Sequence, residues 1–418
     1  MSKLIINGGK SLRGECCIQG AKNSALPILA ACIMAQGECV IHNCPNLADT
    51  DAAGEILETL GCSVKRQQSS LLVNSRGFES FEIPEHLMRK MRSSIMFLGA
   101  ILAKAKKAKI SLPGGCELGP RPIDLHISAL SRLGVEFKDE YGFLMCECPN
   151  GLNGSDIILA FPSVGATENV MLAATCAKGQ TVIRNAAKEP EIEDLQNFLN
   201  DMGADVNGAG SDMIVINGKE KLYGAHHSVI PDRIVAATYI MSSYITGGSG
   251  VFHNLNPRHL QSIMSILSDS GAAYRNGKDF LELYPSLRPK AIKNIRTMPY
   301  PGFPTDAQAP LMALMTTAQG SSMFVETIFD NRYKHVGELR RMGAKIDVEG
   351  RVAIVDGIER LSATTVMATD LRGGAALVIA ALAANGKTEI ENIFHIDRGY
   401  DTIEEILSNM GADIKRVE

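Results

Sequence analysis

The chain has 418 residues, 45% of them apolar and 21% charged, with a net charge of −4. At about 100–200 residues per domain there is room for two or three domains, and charges of both signs dispersed without a basic stripe exclude a nucleic-acid footprint. Ten cysteines, none in C-x2-C spacing, point to reduced thiols in a cytoplasm rather than a disulfide framework or a zinc site; the N-terminus reads as neither a signal nor a transit sequence, which agrees.

The predicted elements repeat along the chain. Residues 15–19 read as a strand entering a helix over 22–35 with a polar start and an apolar body. A second strand follows at 39–43, then an amphipathic helix ending at Gly61, then strands at 63–65 and 71–74. Equivalent helices stop at Gly134, Gly203, Gly271, Gly343 and Gly411, at successive spacings of 73, 69, 68, 72 and 68 residues. Glycine best adopts the left-handed conformation that caps a helix, so this period of 70 residues on average makes the chain one β-α-β-α-β-β unit written six times. In the third unit the second strand is 181–185, and Leu195, Phe198, Leu199 and Met202 follow at helical spacing. The fourth has its second strand at 251–254. The sixth runs through a strand at 365–368, a helix at 370–384, a strand at 388–392 and the helical stripe Ile403, Ile406, Leu407 and Met410.

The first helix of each unit differs from the second. Residues 375–384 are ten apolar residues without a break, far short of the roughly 20 of a membrane span, and a helix apolar all round is buried inside a domain. The sixth unit ends after one of its two closing strands, and residues 3–7 and 14–19 read as the strands it lacks. The expected fold is a two-domain inside-out α/β barrel with three repeats per domain. One domain is discontinuous, residues 1–21 and 230–418, and is expected to be catalytic. The other, residues 22–229, carries the longest loop.

What one copy adds to the scaffold is where function is sought. The second unit adds SLPGGCELGPRPIDLH at 111–126, rich in Gly and Pro around a single Cys116, a composition suited to a lid. A surface turn with an incidental cysteine is the bland alternative; a thiol among backbone N–H groups and beside Arg121 is a candidate proton donor or nucleophile. Arg121, Arg258 and Arg398 each stand 13 residues before the repeat glycine and Arg332 stands 11 before it. Each alone reads as a surface cation. Together, at equivalent places and with charged helix starts such as Lys22-Asn23 and Arg92, they point to an anionic substrate between two domains. Asp306 and Asp370 each follow a Thr at a helix start, where a cap and a general base are both open readings.

Nine segments, in order along the whole chain, carry a resemblance: GAKNSALPIL at 20–29, MRSSI at 91–95, the loop at 111–126, SVGATEN at 163–169, PDRI at 231–234, FPTDAQA at 303–309, ETIFDNRYKHV at 326–336, MATDLRGGAAL at 367–377 and HIDRGY at 395–400. Together they resemble the enolpyruvyl transferase family, on the branch that acts on UDP-N-acetylglucosamine at the start of bacterial peptidoglycan synthesis. The resemblance implies substrates bound in a cleft between two domains, and addition of the 3′-hydroxyl of UDP-N-acetylglucosamine to C2 of phosphoenolpyruvate with protonation at C3, followed by loss of phosphate. Matched by motif, Cys116 is the proton donor, able also to form an adduct with phosphoenolpyruvate and to be alkylated by the antibiotic fosfomycin. Asp306 takes the hydroxyl proton. Lys22, Arg121 and Arg398, with Asn23, cradle phosphoenolpyruvate. Arg92, Arg121, Pro122, Ile123, Asp124, Leu125, Ser163, Val164, Gly165, Asp306 and Ile328 match sugar-nucleotide contacts. Arg332, Asp370 and Arg372 match supporting residues. The resemblance implies no metal and no organic cofactor, and as partners only the two small substrates, with neither nucleic acid nor membrane. The related synthase that uses shikimate 3-phosphate lacks the GGC segment of the loop, and a non-catalytic repeat scaffold has no reason to group an acid, a base and cations; both remain as alternatives.

Overall fold

The computed structural model describes residues 2–111 and 123–418, and of Arg92 the backbone only. The chain divides into two compact units, residues 2–19 with 231–418 and residues 20–111 with 123–230. Each has one continuous apolar core.

Helices pair along the chain, an apolar one followed by an amphipathic one. The pairs are α1 (Lys22–Ala31) and α2 (Ala48–Thr59); α4 (Phe97–Ala105), preceded by the short α3 (Glu85–Lys90), and α5 (Asp124–Arg132); α6 (Val164–Ala174) and α7 (Pro190–Asp201); α8 (Arg233–Ile245) and α9 (Gln261–Asp269); α10 (Gln308–Met315) and α11 (Val336–Arg341); α12 (Leu371–Ala383) and α13 (Ile403–Asn409). The first of each pair is buried nearly end to end, as in residues 372–382 of α12 and 234–245 of α8. The expected helix over 22–35 is shorter: it ends at Ala31, tightens into a 3-10 turn over Cys32–Met34, and Ala35–Gln36 then forms a short strand with Leu222–Tyr223. The unbroken apolar run gave no sign of that ending.

Among the described residues the other strands form six four-stranded sheets of one design. In each, the unit's second strand pairs parallel with the first and antiparallel with the fourth, and the third lies outside the fourth; Asn294–Arg296, Ser321–Val325, Val352–Asp356 and Lys345–Glu349 are one such set. Burial alternates along the strands, so one face of each sheet meets the core and the other faces solvent. Among the described residues no sheet closes on itself; in each unit three separate four-stranded sheets accompany the buried helices.

All six repeat glycines lie in the left-handed region, with φ from 90° at Gly343 to 101° at Gly271. In each case the glycine N–H bonds three residues back and the next N–H five residues back, as in Gly61 to Glu58 and Cys62 to Leu57, both 2.9 Å. This double bond closes the helix and turns the chain into the next strand. A second device recurs at the end of the second strand. Asn43, Asn185 and Asn254, with φ of 51°, 55° and 55°, donate from Nδ2 to the carbonyls of Val229, Leu159 and Ile18 at 2.8, 2.8 and 2.7 Å. Each amide clips the end of the second strand to the end of the first.

One expectation needs correction. Lys3–Asn7 does complete the sixth sheet, between Lys387–Glu391 and Asp413–Val417, with Ile5 opposite both Glu389 and Lys415. The strand expected at 14–19 does not. It forms as Arg13–Cys17 and pairs parallel with Ser249–His253 in the fourth sheet, while the first sheet receives His226–Ser228. The chain passes from one compact unit to the other after residues 19 and 230, directly behind a first strand. At those two places the strand and the helix that follows it belong to different units, which a linear reading of the repeat cannot show.

Candidate active site

In the unit of residues 2–19 and 231–418, the starts of the three inner helices hold the charged residues. Asp306 sits in a 3-10 turn, Thr305–Ala307, that leads into α10. Its Oδ1 accepts from Arg332 Nη2 at 2.8 Å and Oδ2 from Arg372 Nη2 at 2.7 Å. The two arginine side chains are 3% and 5% exposed and that of Asp306 27%. Arg332 Nη2 also donates to the Thr305 carbonyl at 2.9 Å, and its Nε is buried with no hydrogen-bond partner among the described residues. Burial works against the Arg372 charge, but Asp306, Tyr400 and Asp232 together outweigh it and raise the guanidinium above its usual range.

Asp370 is the helix cap of the alternatives set out above. Its Oδ1 accepts the N–H groups of Arg372 and Gly373, both at 3.0 Å, at the start of α12. Burial pushes this carboxyl up; the Gly373 N–H and the Arg332 charge reverse that and hold it below its ordinary value. Fully buried His335, beside Asp370 and Arg332, is pushed down to about 4, chiefly by burial. Arg398 is half-buried behind the turn Ile393–His395. Its loop is fastened by Tyr400, whose hydroxyl lies 2.8 Å from Thr238 Oγ1 and beside Arg372, and by Gln19, whose Oε1 accepts from the Asp401 N–H at 2.9 Å. Half-buried Ile328 donates its N–H to Glu326 Oε1 at 2.8 Å. Arg258 is exposed on the turn Pro257–Leu260. Equal offset from the repeat glycine thus gave a half-buried Arg398 and an exposed Arg258, while Arg332, two residues nearer its glycine, is buried; the connecting loops differ in course.

In the unit of residues 20–230, Lys22 and half-buried Asn23 open α1. Lys22 is 9% exposed and its Nζ meets Asp49 Oδ2 at 2.7 Å. Ser163 caps α6 by accepting from the Ala166 N–H at 3.3 Å, followed by half-buried Val164 and Gly165. A Cβ at Gly165 would stand 3.1 Å from the His126 ring, so the glycine lets the starts of α5 and α6 approach. Asn169, in the SVGATEN segment, joins them: Nδ2 is 2.8 Å from His126 Nδ1 and Oδ1 accepts from the Gly99 N–H at 2.7 Å. Ile123, Asp124 and Leu125 lie at the start of α5, Asp124 exposed and its two neighbours half-buried. Arg92 opens the 3-10 turn before α4. Cys116, Arg121 and Pro122 lie outside the described residues, as does most of the long loop.

The structure therefore brings Asp306, Arg332 and Arg372 into direct contact and sets Asp370 at their edge. Sequence reasoning missed Asp49, Glu326, His335 and Tyr400. Tyr400 stood within a quoted motif, HIDRGY, two residues beyond Arg398; nothing in the sequence pairs Asp49 with Lys22.

The family model described as EPSP synthase (3-phosphoshikimate 1-carboxyvinyltransferase) matches residues 6–407. The chain is 52% identical over 417 residues, the full length of both, to UDP-N-acetylglucosamine 1-carboxyvinyltransferase 2 of Caldanaerobacter subterraneus subsp. tengcongensis. It belongs to the UDP-N-acetylglucosamine 1-carboxyvinyltransferase family. A relative of that name from Trichlorobacter lovleyi is 45% identical, covering 100% of this chain and 99% of its own. Among solved structures, the enolpyruvyl transferase NikO from Streptomyces tendae is 25% identical with a TM-score of 0.89, covering 100% of this chain and 99% of its own. An EPSP synthase from Acinetobacter baumannii, 18% identical with a TM-score of 0.76 over 100% of both chains, shares the fold. Among the described residues no helix is long and apolar enough to cross a membrane.

Proposed function

We propose that the protein transfers the enolpyruvyl group of phosphoenolpyruvate to the 3′-hydroxyl of UDP-N-acetylglucosamine, in the cytoplasm, as the first committed step of peptidoglycan synthesis. The observation that carries this reading is Asp306, a part-exposed carboxylate held by two buried guanidinium groups at a helix start within a chain of this family. Such a clasp fixes both oxygens in place, and the exposed part of the side chain leaves room for a hydroxyl to approach.

In the addition step the 3′-oxygen forms a bond to C2, its proton passes to Asp306, and Cys116 delivers a proton to C3. In the elimination step C3 gives up a proton and the C2–O bond to phosphate breaks, which restores the double bond and releases inorganic phosphate. Lys22, Asn23, Arg121 and Arg398 hold the phosphate and carboxylate of phosphoenolpyruvate. Arg92, Pro122, Ile123, Asp124, Leu125, Ser163, Val164, Gly165 and Ile328 bind the sugar nucleotide. Arg332 and Arg372 orient Asp306, and Asp370 fixes the α12 start from which Arg372 reaches it. Phosphate release that requires both substrates, with an enolpyruvyl ether of UDP-N-acetylglucosamine identified by mass, is the expected result. Release driven instead by shikimate 3-phosphate, or by neither acceptor, would overturn the reading.

A further inference from the structure

Behind the first turn of α1 lies a closed polar network that the mechanism above does not use. At its centre is Asp194 of α7, 2% exposed, which collects three donors. The Ser24 hydroxyl donates to Oδ2, the Ile230 N–H donates to Oδ2 at 3.2 Å, and His227 Nε2 meets Oδ1 at 2.9 Å. The other ring nitrogen of His227, Nδ1, meets Asp201 Oδ2 at 3.1 Å, two turns further along α7. Between the two carboxylates Phe198 lies against the imidazole, ring centroids 5.4 Å apart.

An ionised carboxylate only accepts hydrogen bonds, so a ring with a carboxylate at each nitrogen carries a hydrogen on both and is an imidazolium. Burial alone would disfavour that charge; Asp194 and Asp201 outweigh it and raise the histidine above its ordinary value. On the adjacent strand Glu38–His42 the residue opposite His227 is the apolar Ile41. The neighbouring titratable pair, His226 and His42, face each other with tilted rings, centroids 5.9 Å apart.

The network matters for α1 because that helix has no side-chain cap at Ala21, and its first turn carries Lys22 and Asn23 immediately before Ser24. We infer that His227 is a positioning residue: as an imidazolium it holds Asp194 in the orientation that receives the Ser24 hydroxyl, and so fixes the first turn of α1 where Lys22 and Asn23 meet phosphoenolpyruvate. This rests on the substrate reading of those two residues. The contribution is complete at pH below the unfolded-state value of histidine and is lost as pH rises through the raised folded-state value. On deprotonation one nitrogen turns a lone pair to a carboxylate. Asp194 has its side chain 3% exposed and Asp201 50%, so the remaining hydrogen stays on Nε2, donated to Asp194, which loses its counter-charge.

The test uses the full-length protein. His227→Gln is expected to raise KM for phosphoenolpyruvate about fivefold with kcat and the dissociation constant for UDP-N-acetylglucosamine within about twofold, and to remove an alkaline inflection from the pH profile of that KM. Ser24→Ala is expected to give the same rise, and the double variant no more than either alone. Asp201→Asn changes a half-exposed side chain at no risk to the fold, and moves the inflection to lower pH. Multiplying effects of the Ser24 and His227 variants, or an inflection unmoved in Asp201→Asn, would overturn the proposal. Hydrogen exchange of amides 22–26 without substrate follows the network separately, with faster exchange expected in His227→Gln and unchanged exchange refuting the link. Lys22→Ala reports on the substrate reading itself: an unchanged KM for phosphoenolpyruvate there would refute that reading, while the exchange result still decides whether His227 fixes the helix start.

Discussion

Replacing Asp306 with Asn separates a catalytic base from a structural ion-pair centre. The carboxylate accepts from two guanidinium groups at 2.8 and 2.7 Å whose side chains are 3% and 5% exposed. An amide of the same size keeps one acceptor oxygen for one arginine and turns its NH2 toward the other, donor against donor. Removing one partner of a buried ion pair costs about 3–5 kcal/mol. Asp306 itself is 27% exposed, and solvent reaching it brings the figure down to roughly 2–3 kcal/mol. For a unit of this size each kcal/mol moves the melting temperature by about 2–4 °C, so a fall of roughly 4–12 °C is expected by calorimetry. Loss of a general base lowers kcat by about 10²- to 10⁴-fold, measured as phosphate release at a temperature well below the variant's transition. The two effects are independent. A variant that melts early but turns over within a few-fold of the parent would show that Asp306 only balances Arg332 and Arg372, and that the hydroxyl proton goes elsewhere.

Arg398→Ala is expected to raise KM for phosphoenolpyruvate strongly while calorimetric binding of UDP-N-acetylglucosamine alone stays unchanged; equal losses for both ligands would remove Arg398 from the phosphoenolpyruvate cradle. Fosfomycin is expected to label Cys116 by peptide mass mapping, and Cys116→Asp to stay active and unlabelled. Burial pushes the Cys16 and Cys146 thiols up to about 12 and those of Cys44, Cys62 and Cys148 up to about 11, leaving little thiolate to compete, so label on these would contradict the account. Gly343→Ala and Gly411→Ala meet no neighbour within 4 Å and cost about 1–2 kcal/mol for the left-handed backbone alone. At Gly61 the added Cβ would also lie 2.3 Å from the Gly77 carbonyl oxygen, so Gly61→Ala melts lowest of the three. His335 is pushed down to about 4, so the unfolded chain binds the extra proton between about pH 6.5 and 4. Stability is therefore lost as pH falls through that window, by up to roughly 3 kcal/mol, and denaturant titrations of His335→Gln should show a shallower slope there.

The sequence by itself determined what depends on neighbours along the chain. A left-handed glycine and a helix apolar on every side are properties of a few consecutive residues, and they recur every 70 residues on average, so the six units and their buried first helices were legible. The cysteines among the described residues, all free thiols, were legible as such because their spacing suits no framework. Tertiary structure alone decided the rest. Arg13–Cys17 looks like any other first strand, yet the fourth sheet takes it, because the chain passes between compact units directly after it. Asp306 reads as a helix-start acid; its partners stand 26 and 66 residues away, Arg332 in the turn before α11 and Arg372 at the start of α12, and only tertiary packing sets all three close enough to bond. The same holds for His227, whose strand and the helix bearing Asp194 and Asp201 meet through the sheet. An ion pair is fixed by distance in space and by the loss of competing water, and neither is written in the spacing of residues along a chain.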